Sequence, residues 1–213
     1  FDPLAYHPED YCEANAWQYN FFAPHDISGL IQLFGGEQQF VAKLDQMFTT
    51  PQQVNKETGQ LPEWISGYIG QYVHGNEPAH HVPYLYQYAG QASKTQQRVR
   101  QIMSNLYGTE PDGLAGNEDA GQMSAWYLFS ALGFYPVNPV AGEYVLGSPE
   151  VERAQIALAN GNSFDIIVNN QSAENIFVES VILNGKQHTD FVLKHQDIMA
   201  GGTLVFNMTS EPH

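Results

Sequence analysis

Residues 116–132 constrain this chain more than any other stretch. They read Gly-Asn-Glu-Asp-Ala-Gly-Gln-Met-Ser-Ala-Trp-Tyr-Leu-Phe-Ser-Ala-Leu. Gly113, Gly116 and Gly121 free the backbone of the first half, and Asn117 tolerates unusual dihedrals, so this half is a turn. Met123, Trp126, Tyr127, Phe129, Ala131 and Leu132 then predict a buried helix ended by Gly133. A chain that contains this stretch must supply a core around the helix and must present Glu118 and Asp119 at its mouth. One use for such acids is to hold a cation or take part in a reaction. The other is capping of the helix by Asp119, whose carboxylate satisfies free N–H groups and the dipole.

The other 196 residues are ample for that core: of 213 in all, 43% are hydrophobic. No apolar run approaches the roughly 18 residues of a membrane span. Eight Lys and Arg against 23 Asp and Glu give a net charge of -15, which repels phosphate backbones and excludes nucleic acid as a natural partner. A neutral ligand or a cation suits this balance. The single cysteine, Cys12, rules out an internal disulfide and a cysteine-based zinc cluster. Phe1-Asp2-Pro3 is not an initiation sequence and no signal segment is present, so the chain reads as part of a longer protein.

Two halves follow different grammars. Before residue 140 the periodicity is helical. Asp26 caps a helix over Ile27 to Phe34, residues 37–49 form a second, and Ser93 caps an amphipathic third that ends at Leu106. Pro78 sits where a helix would start, and Pro83 disturbs that start. After Pro136-Val137-Asn138-Pro139 the expected strands are Tyr144–Leu146, Ala154–Leu158, Ser163–Val168, Ile176–Leu183 and Thr203–Met208, separated by Asn-Gly and Gly-Gly turns. The expected class is α+β, with a helical part over 1–140 and a β region over 141–213.

Three segments share one design: a carboxylate on a turn, then an aromatic-rich stretch. They are Glu13 before Trp17, Asn76-Glu77 before Pro78, and Asn117-Glu118-Asp119 before the central helix. Glycosidic cleavage needs two carboxyl groups, one to protonate the leaving oxygen and one as base or nucleophile. Oxygen ligands such as Asn76, Glu77 and Asp119 also suit calcium. Ordinary caps and solvated acids explain the same placements. Trp17 and Trp64, each near an acid, are candidate walls for a sugar site; the remaining aromatics read as core. Glu77 to His80 fits only part of a zinc motif, since Asn76 stands where its first histidine belongs.

Longer motifs then carry a resemblance. Glu13 to Tyr19, Ile69 to Tyr86, Gly116 to Tyr135, and Gly147-Ser148-Pro149 with the strands after it resemble the C-terminal part of glycoside hydrolase family 92 α-mannosidases. The similarity spans nearly the whole chain. It implies calcium-dependent, inverting, exo-acting α-mannosidases, built from a β-sandwich followed by an (α/α)6 barrel, of which this chain would hold a partial set of helices. Transferred residue by residue, it makes Glu13 the general acid and Asp119 the general base. Asn117 stands where the family often has an Asp that orients water. Asn76, Glu77 and Asp119 fall at the calcium. Trp17, Glu63 and His80 are the expected substrate contacts, Glu63 near the region that sets linkage preference in some members. The implied partners are a mannose-containing glycan and a missing N-terminal part, and the implied location is secreted or periplasmic.

An inverting pair requires roughly 6.5–9.5 Å between carboxyls to admit a water, so Glu13 and Asp119 are expected to face one cleft. With too few helices to close a barrel, the isolated chain is expected to be weakly active or inactive. Two other readings stand beside this one. The acids of a non-catalytic carbohydrate-binding or structural piece would only cap helices. A phosphorylase would need a basic pocket, for which residues 1–140 offer only Lys43, Lys56, Lys94, Arg98 and Arg100.

Overall fold

The computed structural model describes residues 9–51 and 65–213. The chain divides into two compact units, one of Phe1–Val82 with Ser104–Ala125, the other of Pro83–Met103 with Trp126–His213. Helices and strands are mixed along it, as an α+β chain requires.

In the first unit, α1 (Ala16–Tyr19) is a single turn, α2 spans Ile27–Leu33 and α3 spans Glu37–Thr49. Asp26 caps α2, its Oδ1 accepting from Gly29 N at 2.8 Å. The buried face of α3 is Phe40, Leu44, Met47 and Phe48. Phe21 stacks on Phe34 with ring centroids 5.6 Å apart and meets Phe40 edge-on at 5.8 Å. A two-rung hairpin, β1 (Tyr68–Ile69) and β2 (Tyr72–Val73), docks on the end of α3. Its tip is Gly70 at φ 63°, where a Cβ would lie 2.5 Å from the Met47 carbonyl, while Gln71 N donates to that carbonyl at 2.8 Å. Only glycine satisfies both the left-handed dihedral and the close approach.

Where Pro78 and Pro83 interrupt the donor ladder, the chain forms 3-10 turns over Glu77–Ala79 and Val82–Ala89 rather than one α-helix. The amphipathic helix α4 begins at Ala92, so Ser93 lies inside its first turn and is not the cap. The central helix α5 covers Gln122–Leu132.

In the second unit, five strands form one sheet in the order β5-β6-β10-β7-β8: Arg153–Ala157, Ser163–Asn169, Gly202–Thr209, Phe177–Leu183 and Lys186–His188. Only β6 and β10 pair in parallel. A second sheet pairs β3 (Phe134–Tyr135), β4 (Glu143–Leu146) and β9 (Val192–Lys194), followed by the short α6, His195–Ala200. Alternation along β6 and β10 puts Phe164, Ile166, Leu204 and Phe206 in a core shared with Phe134 and Leu193. The Arg100 guanidinium on α4 is buried and donates to the carbonyls of Pro149 at 2.7 Å and Ser172 at 3.1 Å.

Candidate active site

All the candidate residues that the structure describes fall in the first unit. Glu63 and Trp64 lie outside the described residues. Glu13 is exposed on a bend before α1 and has φ 56°, the left-handed region. The bend is fixed from both sides. Asn15 caps α1 in a capping box with Gln18, and its Nδ2 donates to Gln71 Oε1 at 3.1 Å. Gln18 Nε2 donates to the Gln71 carbonyl at 3.3 Å. Asn76 Nδ2 donates to the Glu13 carbonyl at 2.8 Å. The segment carrying Glu77 therefore holds the backbone of Glu13 directly.

Gly75 lets that segment pass. A Cβ there would lie 2.8 Å from the Ser66 carbonyl oxygen and 3.1 Å from that of Ala115. A few residues on from Ala115 comes the Asp119 turn, in which Asp119, Ala120 and Gly121 are consecutively left-handed, at φ 46°, 56° and 89°. A left-handed L-residue costs about 1–2 kcal/mol. Such positions persist where the surrounding structure over-determines them, often at working sites. Both expected acid–base residues, Glu13 and Asp119, are among the few non-glycine residues in this conformation.

Capping of α5 falls to the neighbour of Asp119. Glu118 accepts from Ser124 N at 3.0 Å and from Ser124 Oγ at 2.9 Å. The Asp119 carboxyl instead meets Glu77, whose carboxyl is held above its ordinary range first by burial, then by hydrogen bonding to Asp119, with the charges of Asp119 and Glu13 adding to it. Glu77 Oε1 is buried without a hydrogen-bond partner. The Glu77 carboxyl thus feels the charges of two acids on separate segments, Asp119 and Glu13. Among the described residues no three His, Cys, Asp or Glu side chains are grouped closely enough to form a metal cluster.

Trp17 is buried, with Lys43 Nζ 3.8 Å from its ring centroid and its indole N–H without a partner. One face of the ring is therefore taken. Asn117 is exposed on the Asp119 turn. His80 is buried, donating from Nε2 to the His74 carbonyl at 2.9 Å and approached at Nδ1 by Gln122 Nε2 at 3.1 Å. It reaches a sugar only by giving up one of these. His81 Nε2 donates to the Phe21 carbonyl at 2.9 Å. Sequence reasoning passed over His74, Tyr72, Tyr107 and Gln122, which link the Glu77 segment to the Asp119 turn by hydrogen bonds. The available signal was Tyr72 and His74 two apart at a strand end, a spacing that shares one face.

Acids on loops over a helical scaffold, with the Glu77 carboxyl raised above its ordinary range by burial and by Asp119, define a class of acid–base sites suited to a neutral polar ligand. The sequence profile of the glycosyl hydrolase family 92 catalytic domain matches residues 1–210. The chain belongs to that family. It is 38% identical to the family GH92 α-mannosidase BT3965 of Bacteroides thetaiotaomicron in complex with mannoimidazole, with a TM-score of 0.93 over 100% of this chain and 28% of that one. It is 37% identical to the inverting mannosidase BT2199 of the same organism, with a TM-score of 0.81 over 95% of this chain and 28% of that one. It is also 29% identical to an uncharacterized secreted glycosidase of Arthroderma benhamiae, over 99% of this chain and 25% of that protein. The chain thus spans about a quarter of the length of each relative.

Proposed function

We propose that this chain is part of a calcium-dependent, inverting exo-α-mannosidase that hydrolyses terminal α-mannosidic linkages of glycans. The observation that supports the reading is the pairing of the Glu77 and Asp119 carboxyls, with the backbone of Glu13 bonded to Asn76 next to Glu77 and both Glu13 and Asp119 on left-handed backbone. Family membership and the α-mannosidases among the similar structures support the substrate class.

In this reading Glu13, exposed and unencumbered by the cap of α1, is the general acid. Asp119, released from capping by Glu118, is the general base. Asp119 takes a proton from water as the water oxygen bonds to the anomeric carbon. The carbon–oxygen bond on the opposite face breaks, and Glu13 gives its proton to the leaving oxygen. Asn117 presents an amide on the same turn to orient that water. Trp17, Glu63 and His80 are the proposed substrate contacts.

The donor set fits a hard cation. Asn76, Glu77 and Asp119 offer oxygens, and the buried, unpartnered Oε1 of Glu77 beside a second carboxyl is a position that a cation satisfies better than a shared proton. These three would hold calcium, which when bound would engage sugar hydroxyls and favour a distorted ring. Residues 1–140 would be a segment of an (α/α)6 catalytic domain and 141–213 its β region. The remaining partner is then the rest of the enzyme, upstream of this chain. A secreted or periplasmic location suits a glycan substrate and matches the description of the fungal relative as secreted.

The test is hydrolysis of an aryl α-mannoside by the full-length protein. Glu13→Gln and Asp119→Asn are each expected to lower kcat by about 10²–10⁴-fold, and chelation of calcium to abolish turnover reversibly. Wild-type rates in either variant would remove the assignment.

A further inference from the structure

We infer that His74 and His80 form a neutral pair of latches that positions the Asp119 turn against Glu77. The inference rests on the acid–base reading above: while both ring nitrogens of His80 are engaged within the protein, the pair acts by positioning, and His80 would meet a sugar only by releasing one of those bonds.

The partners dictate where the protons sit. A backbone carbonyl only accepts, so His80 donates from Nε2 to the His74 carbonyl at 2.9 Å. Its Nδ1 is therefore bare and accepts from Gln122 Nε2 at 3.1 Å. Tyr107 gives its hydroxyl proton to the Met123 carbonyl at 3.0 Å. It then accepts from His74 Nε2 at 2.6 Å, which leaves His74 Nδ1 to accept from the Tyr72 hydroxyl at 2.7 Å. One tautomer satisfies all of these bonds together: both rings neutral, both protonated at Nε2. The rings stack with centroids 4.8 Å apart, a distance at which two imidazolium ions would repel.

These bonds cross between the two acid-bearing segments. On one side stand His74 and His80, flanking Asn76 and Glu77. On the other stand Gln122 and Met123, joined to the acidic turn by Gln122 N to the Asp119 carbonyl at 3.1 Å and Met123 N to the Glu118 carbonyl at 3.3 Å. Two ionised carboxylates placed together push apart. A turn of consecutive left-handed residues gains nothing locally by staying there. The ties through Gln122 and Tyr107 oppose that separation, and neutral histidines do so without adding charge next to the acids.

The experiment uses the full-length protein, an aryl α-mannoside and two variants that leave all the acids in place, Gln122→Met and Tyr107→Phe. Displacing a catalytic group by an ångström costs on the order of 10²-fold, so each variant is expected to lose about 10–100-fold in kcat. KM should stay within about twofold, because a positioning pair acts on kcat rather than on ground-state binding. In 15N-histidine-labelled wild-type protein, His74 and His80 should both report a protonated Nε2 and a bare Nδ1. In Gln122→Met the His80 Nδ1 signal should move as its donor is lost. Wild-type kcat in folded Gln122→Met and Tyr107→Phe, with Glu13→Gln inactive, would overturn the latch and leave the acid–base reading standing. Full activity in Glu13→Gln would instead remove that reading. The tautomer measurement needs no variant, and a proton on Nδ1 of either ring refutes the inference by itself.

Discussion

The left-handed backbone at Glu13 gives a measurable trade between stability and function. The carboxylate is exposed, and the bond from Asn76 goes to the Glu13 carbonyl oxygen, which any residue provides. Glu13→Gly and Glu13→Ala therefore remove the same carboxylate and keep the same backbone bond, differing only in a Cβ. At φ 56° that Cβ costs alanine about 1–2 kcal/mol. Alanine recovers about 0.4–1 kcal/mol through the smaller entropy of its unfolded chain. At mid-range values the difference leaves glycine ahead by about 0.8 kcal/mol. At about 2–4 °C per kcal/mol for a chain of this size, Glu13→Gly should melt about 1–4 °C above Glu13→Ala. Circular-dichroism melts of the two variants side by side read this directly. If Glu13→Ala melts at or above Glu13→Gly, the bend is not strained and the argument that structure is held here for function loses its energetic basis.

Glu77 carries a pH dependence of definite sign. Its carboxyl is raised above the ordinary 4.5 first by burial, then by Asp119, so the folded state binds the proton more tightly than the unfolded one. Stability is then complete below the unfolded value and declines as pH rises through the folded one. Asp119→Asn should flatten that decline in urea titrations run across the acid range; an unchanged slope would mean the two carboxyls do not interact. Glu118→Ala removes both bonds to Ser124 and should cost about 0.5–2 kcal/mol, as loss of a cap does, seen as a lower urea midpoint at unchanged m-value. Gly75→Ala drives a methyl to 2.8 Å from the Ser66 carbonyl, a backbone atom that cannot swing aside, and should cost about 1–3 kcal/mol in the same assay.

Local chemistry explains how far the sequence could be read. Asp26 with an apolar helical period behind it marks α2 to within a residue. The strict alternation of Phe164, Ile166 and Val168, and of Leu204, Phe206 and Met208, marks β6 and β10. The short strands β8 and β9 have three residues each, too few for any period to emerge. Pro78 and Pro83 announced a disturbance, but whether a turn becomes α or 3-10 is settled by which carbonyls remain within reach. Of the acids, all three segments were legible because each sets a carboxylate on a turn before aromatic residues. The division of labour at the turn was not. Glu118 and Asp119 are adjacent and chemically alike, and only the left-handed twist at Asp119 sends one to the helix and the other to Glu77. The histidine latches were hidden for a different reason. Their partners lie tens of residues apart, as between His74 and Tyr107, and no local pattern records such a pairing.

The stereochemistry of hydrolysis tests the central claim most directly. With an α-mannoside and the full-length protein, proton NMR during the first minutes should show β-mannose appearing before mutarotation produces the α-anomer, since a water activated by Asp119 attacks the face opposite the bond that Glu13 protonates. Initial release of α-mannose, or β-mannose still released by Glu13→Gln and Asp119→Asn at the wild-type rate, would contradict it.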